Sequence, residues 1–163
     1  MKGKVIKYDI KNIDTDGIIP ARYLTSSEPD HLAQHCMEDI DPNFLQKVKV
    51  FNYSILVTNS NFGCGSSREQ APISLKAACI KCIIAPSFAR IFFRNAINIG
   101  LPILELDKID LLSSGDNLRI DLRSGLIKNL TTNYKIGVKK MPEFIQNIIN
   151  SNGLINYSKK FLV

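Results

Sequence analysis

The chain has 163 residues, of which 45% are hydrophobic and 22% are charged, and these proportions exclude a disordered chain and fit one globular domain. Lys and Arg outnumber Asp and Glu by 21 to 15. The basic residues are scattered without interleaved aromatic residues, so we expect acidic small molecules or an acidic partner subunit and no nucleic acid. No apolar run has the length of a membrane span or a signal segment, so we expect a cytoplasmic protein that binds no membrane.

The cysteine and histidine residues do not have the spacing of a metal site. Cys79 and Cys82 are separated by two residues, but neither a second pair of cysteines nor a Cys–His pair follows them. His31 and His35 are four apart on one face of a predicted helix, but no third ligand accompanies them. We therefore expect free thiols at all four cysteines and no metal on this chain.

The first part of the chain predicts a strand, a turn and a short helix. Residues 4–10 are predicted as the first strand, and the acidic and glycine residues at 14–17 are typical of a turn. Residues 22–29 are polar and predict a loop, after which residues 30–37 predict a short helix. Residues 42–52 lead into the next strand with no predicted element of their own.

The middle of the chain alternates strands with helices. The predicted elements are a strand at 54–58, a glycine-rich loop at 61–69, a helix to residue 78, a strand at 82–85, a helix at 88–99 and a strand at 101–106. We expect the first helix to begin near Gln70 or Ala71, because a start after Ser67 would put Pro72 inside the helix. Such alternation implies crossover connections between parallel strands.

The last third of the chain has the alternating pattern of half-exposed strands. Strands are predicted at 118–122, 126–130 and 133–138, followed by a helix that opens at 141–143 and a tail at 154–163 that packs on the body. We therefore expect an antiparallel meander laid against an α/β unit, within a single domain that spans residues 1–163.

The loop at 61–69 carries the residues that we expect to do chemistry. Gly63 and Gly65 allow positive φ angles and a close approach of the backbone to a ligand. The start of the next helix offers unpaired N–H groups, while Ser66, Ser67 and Arg68 add hydroxyls and a planar set of N–H donors. This combination suits a carboxylate or a phosphate. Simple helix capping by the serines is the alternative that the local pattern leaves open.

Three segments of the chain carry a family resemblance. Residues 63–69, Gly-Cys-Gly-Ser-Ser-Arg-Glu, resemble the Gly-x-Gly-Ser-Ser-Arg-Glu signature of the swivel domain in the aconitase superfamily. Residues 14–20 and 87–91 resemble the Asp-Thr-Asp-x-Ile-Ile-Pro and Ser-Phe-Ala-Arg-Ile segments of that family, in the same order. The resemblance covers nearly the whole chain. It implies an α/β fold of the aconitase-type swivelling β/β/α kind, with a parallel-rich sheet, helices and an antiparallel β layer.

A swivel domain that stands alone at this length resembles the separate small subunits of 3-isopropylmalate dehydratase and of homoaconitase-like enzymes. The resemblance implies a hydro-lyase of leucine biosynthesis that interconverts 2-isopropylmalate and 3-isopropylmalate by dehydration and rehydration. Its substrate is a small dicarboxylate, and the enzyme is active only when this chain is bound to a large subunit. That partner is expected to carry a 4Fe–4S cluster, with none on this chain, and the isolated chain could self-associate. The implied site residues are a catalytic pair, Ser66 and Arg68, a substrate-binding set, Ser67, Arg68, Tyr23, Leu24, Thr25 and Ser26, and two supporting carboxylates, Asp14 and Asp16.

The segment at 23–26 bears on the identity of the substrate, because in the family this loop differs with the substrate's side group. Thr25 suits a branched apolar group, which favours isopropylmalate, although Arg22 is near enough in sequence to reach a further carboxylate. The alternatives are the small subunit of a homoaconitase or of a methylmalate or dimethylmalate dehydratase. A non-catalytic anion-binding regulatory module is a further alternative.

Overall fold

The computed structural model describes residues 1–161 and is built on a seven-stranded mixed sheet. The strands in chain order are β1 (Lys2–Tyr8), β2 (Tyr53–Thr58), β3 (Cys82–Ala85), β4 (Ile103–Glu105), β5 (Asn117–Asp121), β6 (Leu126–Asn129) and β7 (Lys135–Gly137). Their order across the sheet is β4-β3-β2-β1-β5-β6-β7.

The strands β1 to β4 are parallel, as the alternation with helices predicts. In the register of β1 on β2, Ile6 lies opposite Leu56. Successive residues of β2 belong to two different hydrophobic clusters, with Leu56 in the first and Ile55 and Val57 in the second. Both faces of the parallel half are therefore buried at its centre, which explains why β2 and β3 are nearly continuous apolar runs.

The strands β5 to β7 continue the same sheet in the antiparallel sense. Strand β5 pairs with the free side of β1, and β6 and β7 extend the meander. Ile120 and Ile127 lie in the same buried cluster as Val57 and Ile84, so the sheet curls and its antiparallel half packs on one face of its parallel half. The expected packing of the meander is confirmed, but the meander is hydrogen-bonded to the parallel half and is not a separate layer.

Helices cover the opposite face of the parallel half. They are α1 (Thr15–Ile18), α2 (Pro29–Gln34), α3 (Phe44–Phe51), α4 (Gln70–Ala77), α5 (Arg90–Asn98), α6 (Glu143–Asn150) and α7 (Leu154–Ser158). Short 3₁₀ turns lie at 21–23, 109–111 and 159–161. Within residues 1–161, no helix is long and apolar enough to cross a bilayer.

The start of α4 and the end of α5 agree with the sequence-based expectations. Helix α4 begins at Gln70, and Pro72 is its third residue, a position in the first turn where the missing N–H is not needed. Gly100 follows α5 with a φ of +73°, the left-handed conformation that ends many helices.

Other elements differ from the expectations. Helix α3 was not predicted, because the alternating sequence at 47–51 hides the buried pair Phe44 and Val48, which are four residues apart on one helix face. The predicted turn at 14–17 is the single-turn helix α1. Helix α2 ends at Gln34 rather than at Met37. The last residues of the predicted tail, 162–163, lie outside the described residues.

Candidate active site

The candidate site lies at the carboxyl ends of β1, β2 and β3. The three motif segments, at 14–20, 63–69 and 87–91, each follow one of these strands. Ligands of parallel α/β sheets commonly bind at this edge, because the loops that follow neighbouring strands meet there. The strand order therefore brings together segments that are far apart in the sequence.

Backbone contacts join the first two segments directly. The Gly63 N–H donates to the Ile13 carbonyl at 2.7 Å, and the Thr15 N–H donates to the Cys64 carbonyl at 2.9 Å. The Thr15 hydroxyl adds a bond to the carbonyl of Ser66 at 3.0 Å. These bonds fix the conformation of the loop at 61–69 against the start of α1.

Phe62 anchors the same loop to the third segment. Its ring is buried and lies edge-on to the ring of Phe92 in α5, with centroids 5.1 Å apart, and its N–H donates to the Ser87 carbonyl at 3.1 Å. Gly63 follows with a φ of +76°, and a Cβ at this position would lie 2.2 Å from the Phe92 ring. A glycine is thus required here both by the backbone conformation and by the packing.

The two serines lie exposed at the outer end of the loop. Gly65, just before them, has a φ of +89°. In the part of the chain that the structure describes, the N–H groups of residues 65–67 and the hydroxyls of Ser66 and Ser67 have no hydrogen-bond acceptor or donor. The loop therefore presents a row of unpaired donors to solvent, a feature typical of backbone anion sites.

Arg68 is held by Asp16 of α1. Its Nη1 lies 2.6 Å from Oδ1 and its Nη2 lies 3.1 Å from Oδ2 of that carboxylate, and Nη1 also donates to the Ile19 carbonyl at 3.3 Å. The Arg68 side chain is only 15% exposed. Because a guanidinium has five N–H donors, the contact orients its plane and leaves donors on Nε and Nη2 for a further anion.

The other supporting carboxylate, Asp14, has a different contact. It accepts the Gly17 N–H at 2.7 Å and so caps the N-terminus of α1. Burial, and next the charge of Asp14, raise the pKa of the Cys64 thiol, which keeps that thiol protonated. Both predicted carboxylates lie at the loop, and their support of substrate binding stays a prediction.

The N-terminus of α4 contributes fewer free N–H groups than we expected. The Ala71 N–H donates to the Arg68 carbonyl at 3.3 Å, and Pro72 has no N–H at all. The N–H of Gln70, the first residue of α4, has no acceptor among the described residues, and a role of this helix start in anion binding stays a prediction. The candidate anion donors are chiefly the N–H groups of the loop at 65–67 and the Arg68 side chain.

The predicted substrate-binding segment at 23–26 joins the first 3₁₀ turn to the loop before α2. Tyr23 is half-buried and donates from Oη to Oε1 of Glu38 at 2.8 Å, and Leu24 packs against the first core cluster. Thr25 is exposed, while Ser26 is partly buried. The contact of these residues with a substrate stays a prediction.

Arg22 already has partners. Its Nη2 lies 2.9 Å from Oε1 of Glu38, its Nη1 lies 3.0 Å from Oδ2 of Asp39, and its guanidinium lies over the Tyr23 ring at 4.8 Å. Two carboxylates thus balance the charge of Arg22, which weakens its attraction for a further carboxylate, while Nε and one N–H of Nη1 have no acceptor among the described residues. The sequence analysis missed Glu38, for which the spacing of three residues from His35 was the only available signal.

The described thiols do not fit an iron–sulfur cluster, which takes at least three converging thiolates. Cys36 lies in the first core cluster and Cys82 in the second, on opposite faces of the sheet. Cys64 lies in the loop at 61–69, and Cys79 is exposed just after α4. Among residues 1–161, no group of three side chains is arranged to hold a metal ion.

Comparisons with known proteins agree with the resemblance and with the swivelling α/β fold. Residues 1–108 match the aconitase C-terminal domain family. The chain is 57% identical to the 3-isopropylmalate dehydratase small subunit of Caldicellulosiruptor saccharolyticus, over 97% of this chain and 90% of that protein. It is 56% identical to the small subunit of Clostridium beijerinckii, over 96% of each.

A solved structure supports the same assignment. The crystal structure of 3-isopropylmalate dehydratase from Methanocaldococcus jannaschii matches with a TM-score of 0.91 and 44% identity, over 99% of this chain and 94% of that chain. The chain therefore belongs to the aconitase C-terminal domain family and, within it, to the family of 3-isopropylmalate dehydratase small subunits.

Proposed function

We propose that the chain is the small subunit of a hydro-lyase that interconverts 2-isopropylmalate and 3-isopropylmalate in leucine biosynthesis. The observation that carries the proposal is the convergence of three motif segments at one edge of the sheet, where exposed serines lie beside a fixed arginine. Relatives that match over nearly the whole chain are named for this reaction.

Ser66 is the proposed base. In the dehydration, a base removes the proton from the carbon next to the one that loses hydroxide, which gives an unsaturated diacid. Rehydration returns the proton and the hydroxide to the opposite carbons and so gives the isomer. A serine can act as this base only if its alkoxide is stabilised. The unpaired N–H groups at 65–67 and the charge of Arg68 support that role.

Arg68 and Ser67 are the proposed carboxylate ligands. Removal of the proton builds negative charge on the adjacent carboxylate, and a guanidinium that is already oriented stabilises this charge without reorganising. Asp16 supplies that orientation through its two bonds to Arg68. The remaining donors of Arg68 and the Ser67 hydroxyl suit the two oxygens of a carboxylate.

The segment at 23–26 is proposed to contact the side group of the substrate and to determine which side group is accepted. Thr25 is exposed and offers a methyl group, whereas the carboxylates of Glu38 and Asp39 balance the charge of Arg22. This arrangement favours an apolar side group over a third carboxylate. It supports isopropylmalate over the tricarboxylate that a homoaconitase would take, and a methyl-substituted malate is the nearer competitor.

A large partner subunit completes the proposed enzyme. The thiols of residues 1–161 do not converge, so we assign the 4Fe–4S cluster to that partner and expect the isolated chain to be inactive. The chain would then contribute the proton-transfer and carboxylate-binding half of a shared site.

The test is anaerobic co-expression with the cognate large subunit, followed by rate measurements on 2-isopropylmalate. Ser66→Ala should lower kcat by about 100-fold or more, the usual contribution of a general base, while the two subunits still co-elute. The control, Ser124→Ala, removes an exposed hydroxyl whose side-chain hydrogen bond, among the described residues, goes to Asp121 in the meander, and it should leave the rate unchanged.

The same preparation separates the regulatory alternative from the enzyme. A non-catalytic anion-binding module would tolerate Ser66→Ala with no change in kcat, and that result would overturn the proposed base. A preference for a tricarboxylate substrate over isopropylmalate would contradict the proposed role of the segment at 23–26.

A further inference from the structure

Glu38 receives hydrogen bonds from three side chains. Tyr23 donates from Oη to Oε1 at 2.8 Å, Arg22 donates to the same oxygen at 2.9 Å, and Nδ1 of His35 lies 2.7 Å from Oε2. The His35 ring also stacks on the Tyr23 ring, with centroids 3.5 Å apart and planes within 6°. One carboxylate therefore joins the end of α2 to the 3₁₀ turn that precedes Thr25.

The backbone around Glu38 connects this cluster to the serine loop. Met37 has a φ of +60°, which turns the chain back after α2, and its N–H donates to the Ile18 carbonyl of α1 at 2.8 Å. Helix α1 also carries Asp16, which holds Arg68. Helix α1 is thus connected to both parts of the candidate site. Asp16 binds Arg68, and Ile18 binds Met37, whose neighbour Glu38 binds Tyr23.

Apart from the packing of Tyr23 and Leu24 against the first core cluster, the segment that Glu38 holds has little other support. The backbone bonds of the turn at 21–23 are local, from Tyr23 to Pro20 and from Leu24 to Ala21. Beyond it, Thr25 is exposed. An exposed segment with few buried contacts depends strongly on each fixed point, because its local stability is low.

We propose that Glu38 is a positioning residue for substrate selection, which fixes the segment at 23–26 relative to Arg68. This inference rests on the proposed function, in which the segment at 23–26 contacts the side group of the substrate. Glu38 itself does not contact the substrate. It acts through Tyr23 and His35, and its loss should disturb the choice among substrates more than the chemical step.

Glu38→Ala and Glu38→Gln form the central pair of variants. Alanine removes all three bonds, whereas glutamine keeps an oxygen that accepts from Tyr23 and an amide that can bond to a neutral His35. Asp39→Asn is the matched control, because Asp39 also binds Arg22 but contacts neither Tyr23 nor His35 among the described residues.

The first measurement is the kinetics of the assembled enzyme on isopropylmalate and on a methyl-substituted malate. We expect Glu38→Ala to raise the KM for isopropylmalate about tenfold, as the loss of bonds to a charged group implies, with kcat little changed. The KM for the smaller substrate should change less, and Glu38→Gln should restore most of the preference. A merely structural defect would lower the active fraction, and so kcat, equally for both substrates.

The second measurement does not depend on activity. Limited chymotrypsin digestion of the full chain should cleave after Tyr23 about tenfold faster in Glu38→Ala than in wild type or Asp39→Asn. Unchanged cleavage, or faster cleavage with an unchanged preference between the two substrates, would overturn the inference. If the wild-type assembly is inactive on every malate, the proposed function fails, and digestion alone then decides whether Glu38 anchors the segment.

Discussion

Arg68 and Asp16, which lie 52 positions apart, form a two-pronged ion pair between the serine loop and α1. The pair is unequal, because Arg68 is 15% exposed and Asp16 is 55% exposed. Solvent screening limits what such a pair adds to stability. Its main effect is to fix the direction of the remaining donors of Arg68.

Substitutions at this pair should therefore affect activity more than stability. Arg68→Lys keeps the charge but loses the planar fork, and we expect kcat/KM to fall about 100-fold. Asp16→Asn keeps the shape of the side chain but loses its charge, and we expect it to lower kcat/KM about tenfold. Steady-state kinetics of the assembled enzyme test this. The control is Asp110→Asn, since that carboxylate is 92% exposed, and an equal loss of activity in the control would refute the role of Asp16.

The fold was predictable from the sequence where local patterns decide it. The apolar run of β2, the glycine loop and the start of α4 at Gln70 all follow from residue types and their order. Helix α3 was missed because the Lys-Val-Lys-Val sequence at 47–50 imitates a strand. The helical conformation of this segment is explained only by the packing of Phe44 and Val48 in the first core cluster against the sheet.

The sequence indicates residues for the candidate site but not how their side chains pair, and the roles of these residues stay predictions. The sequence indicated Ser66 and Arg68, but it could not show that Arg68 pairs with Asp16 or that Arg22 pairs with Glu38 and Asp39. Such pairs depend on which strands become neighbours and on the chain reversal at Met37. Neither is encoded in a local pattern.

Gly63 should tolerate no side chain. Gly63→Ala would place a Cβ 2.2 Å from the Phe92 ring at a φ of +76°, and both strain and overpacking should lower the free energy of unfolding by about 3 kcal/mol or more. Gly115→Ala is the matched control, with a φ of +94° and no atom within 4 Å, so it should cost about 1 kcal/mol. Urea unfolding followed by circular dichroism measures both, and equal costs would mean that contact with Phe92 is unimportant.

Asp41 should contribute to stability through a buried network. The residue is 8% exposed, and its carboxylate accepts bonds from Tyr8 Oη (2.6 Å), Lys47 Nζ (2.6 Å) and the Asn43 N–H (3.0 Å). Asp41→Ala leaves these donors unpaired and should cost about 3 kcal/mol, whereas Tyr8→Phe should cost about 1 kcal/mol. Urea unfolding of both variants and of the double variant gives the coupling free energy between Tyr8 and Asp41. Additive losses would show that Tyr8 and Asp41 do not interact.

The contribution of Glu38 to stability should depend on pH. Hydrogen bonds from His35, Tyr23 and Arg22 lower the pKa of this carboxyl from 4.5 to about 2. A carboxyl whose pKa is lowered by folding stabilises the fold at every pH above its ordinary pKa. This stabilisation is lost as the pH falls from about 4.5 towards 2. We expect the difference in unfolding free energy between wild type and Glu38→Gln to shrink as the pH falls below about 4.5. Urea unfolding across this range checks it, and a constant difference would contradict it.

The thiols should react in an order set by exposure and pKa. Burial raises the pKa of Cys36 and of Cys82 from 9.0 to about 12, so their thiolate fraction is about a thousandfold lower. Cys79 is exposed and should be alkylated first by iodoacetamide, and Cys64 should react more slowly because its pKa is also raised. Peptide mass spectrometry follows each site, with the urea-unfolded chain as the control in which all four react at similar rates. Fast alkylation of Cys36 or Cys82 in the native chain would mean that the cores on the two faces of the sheet open far more often than their complete burial implies.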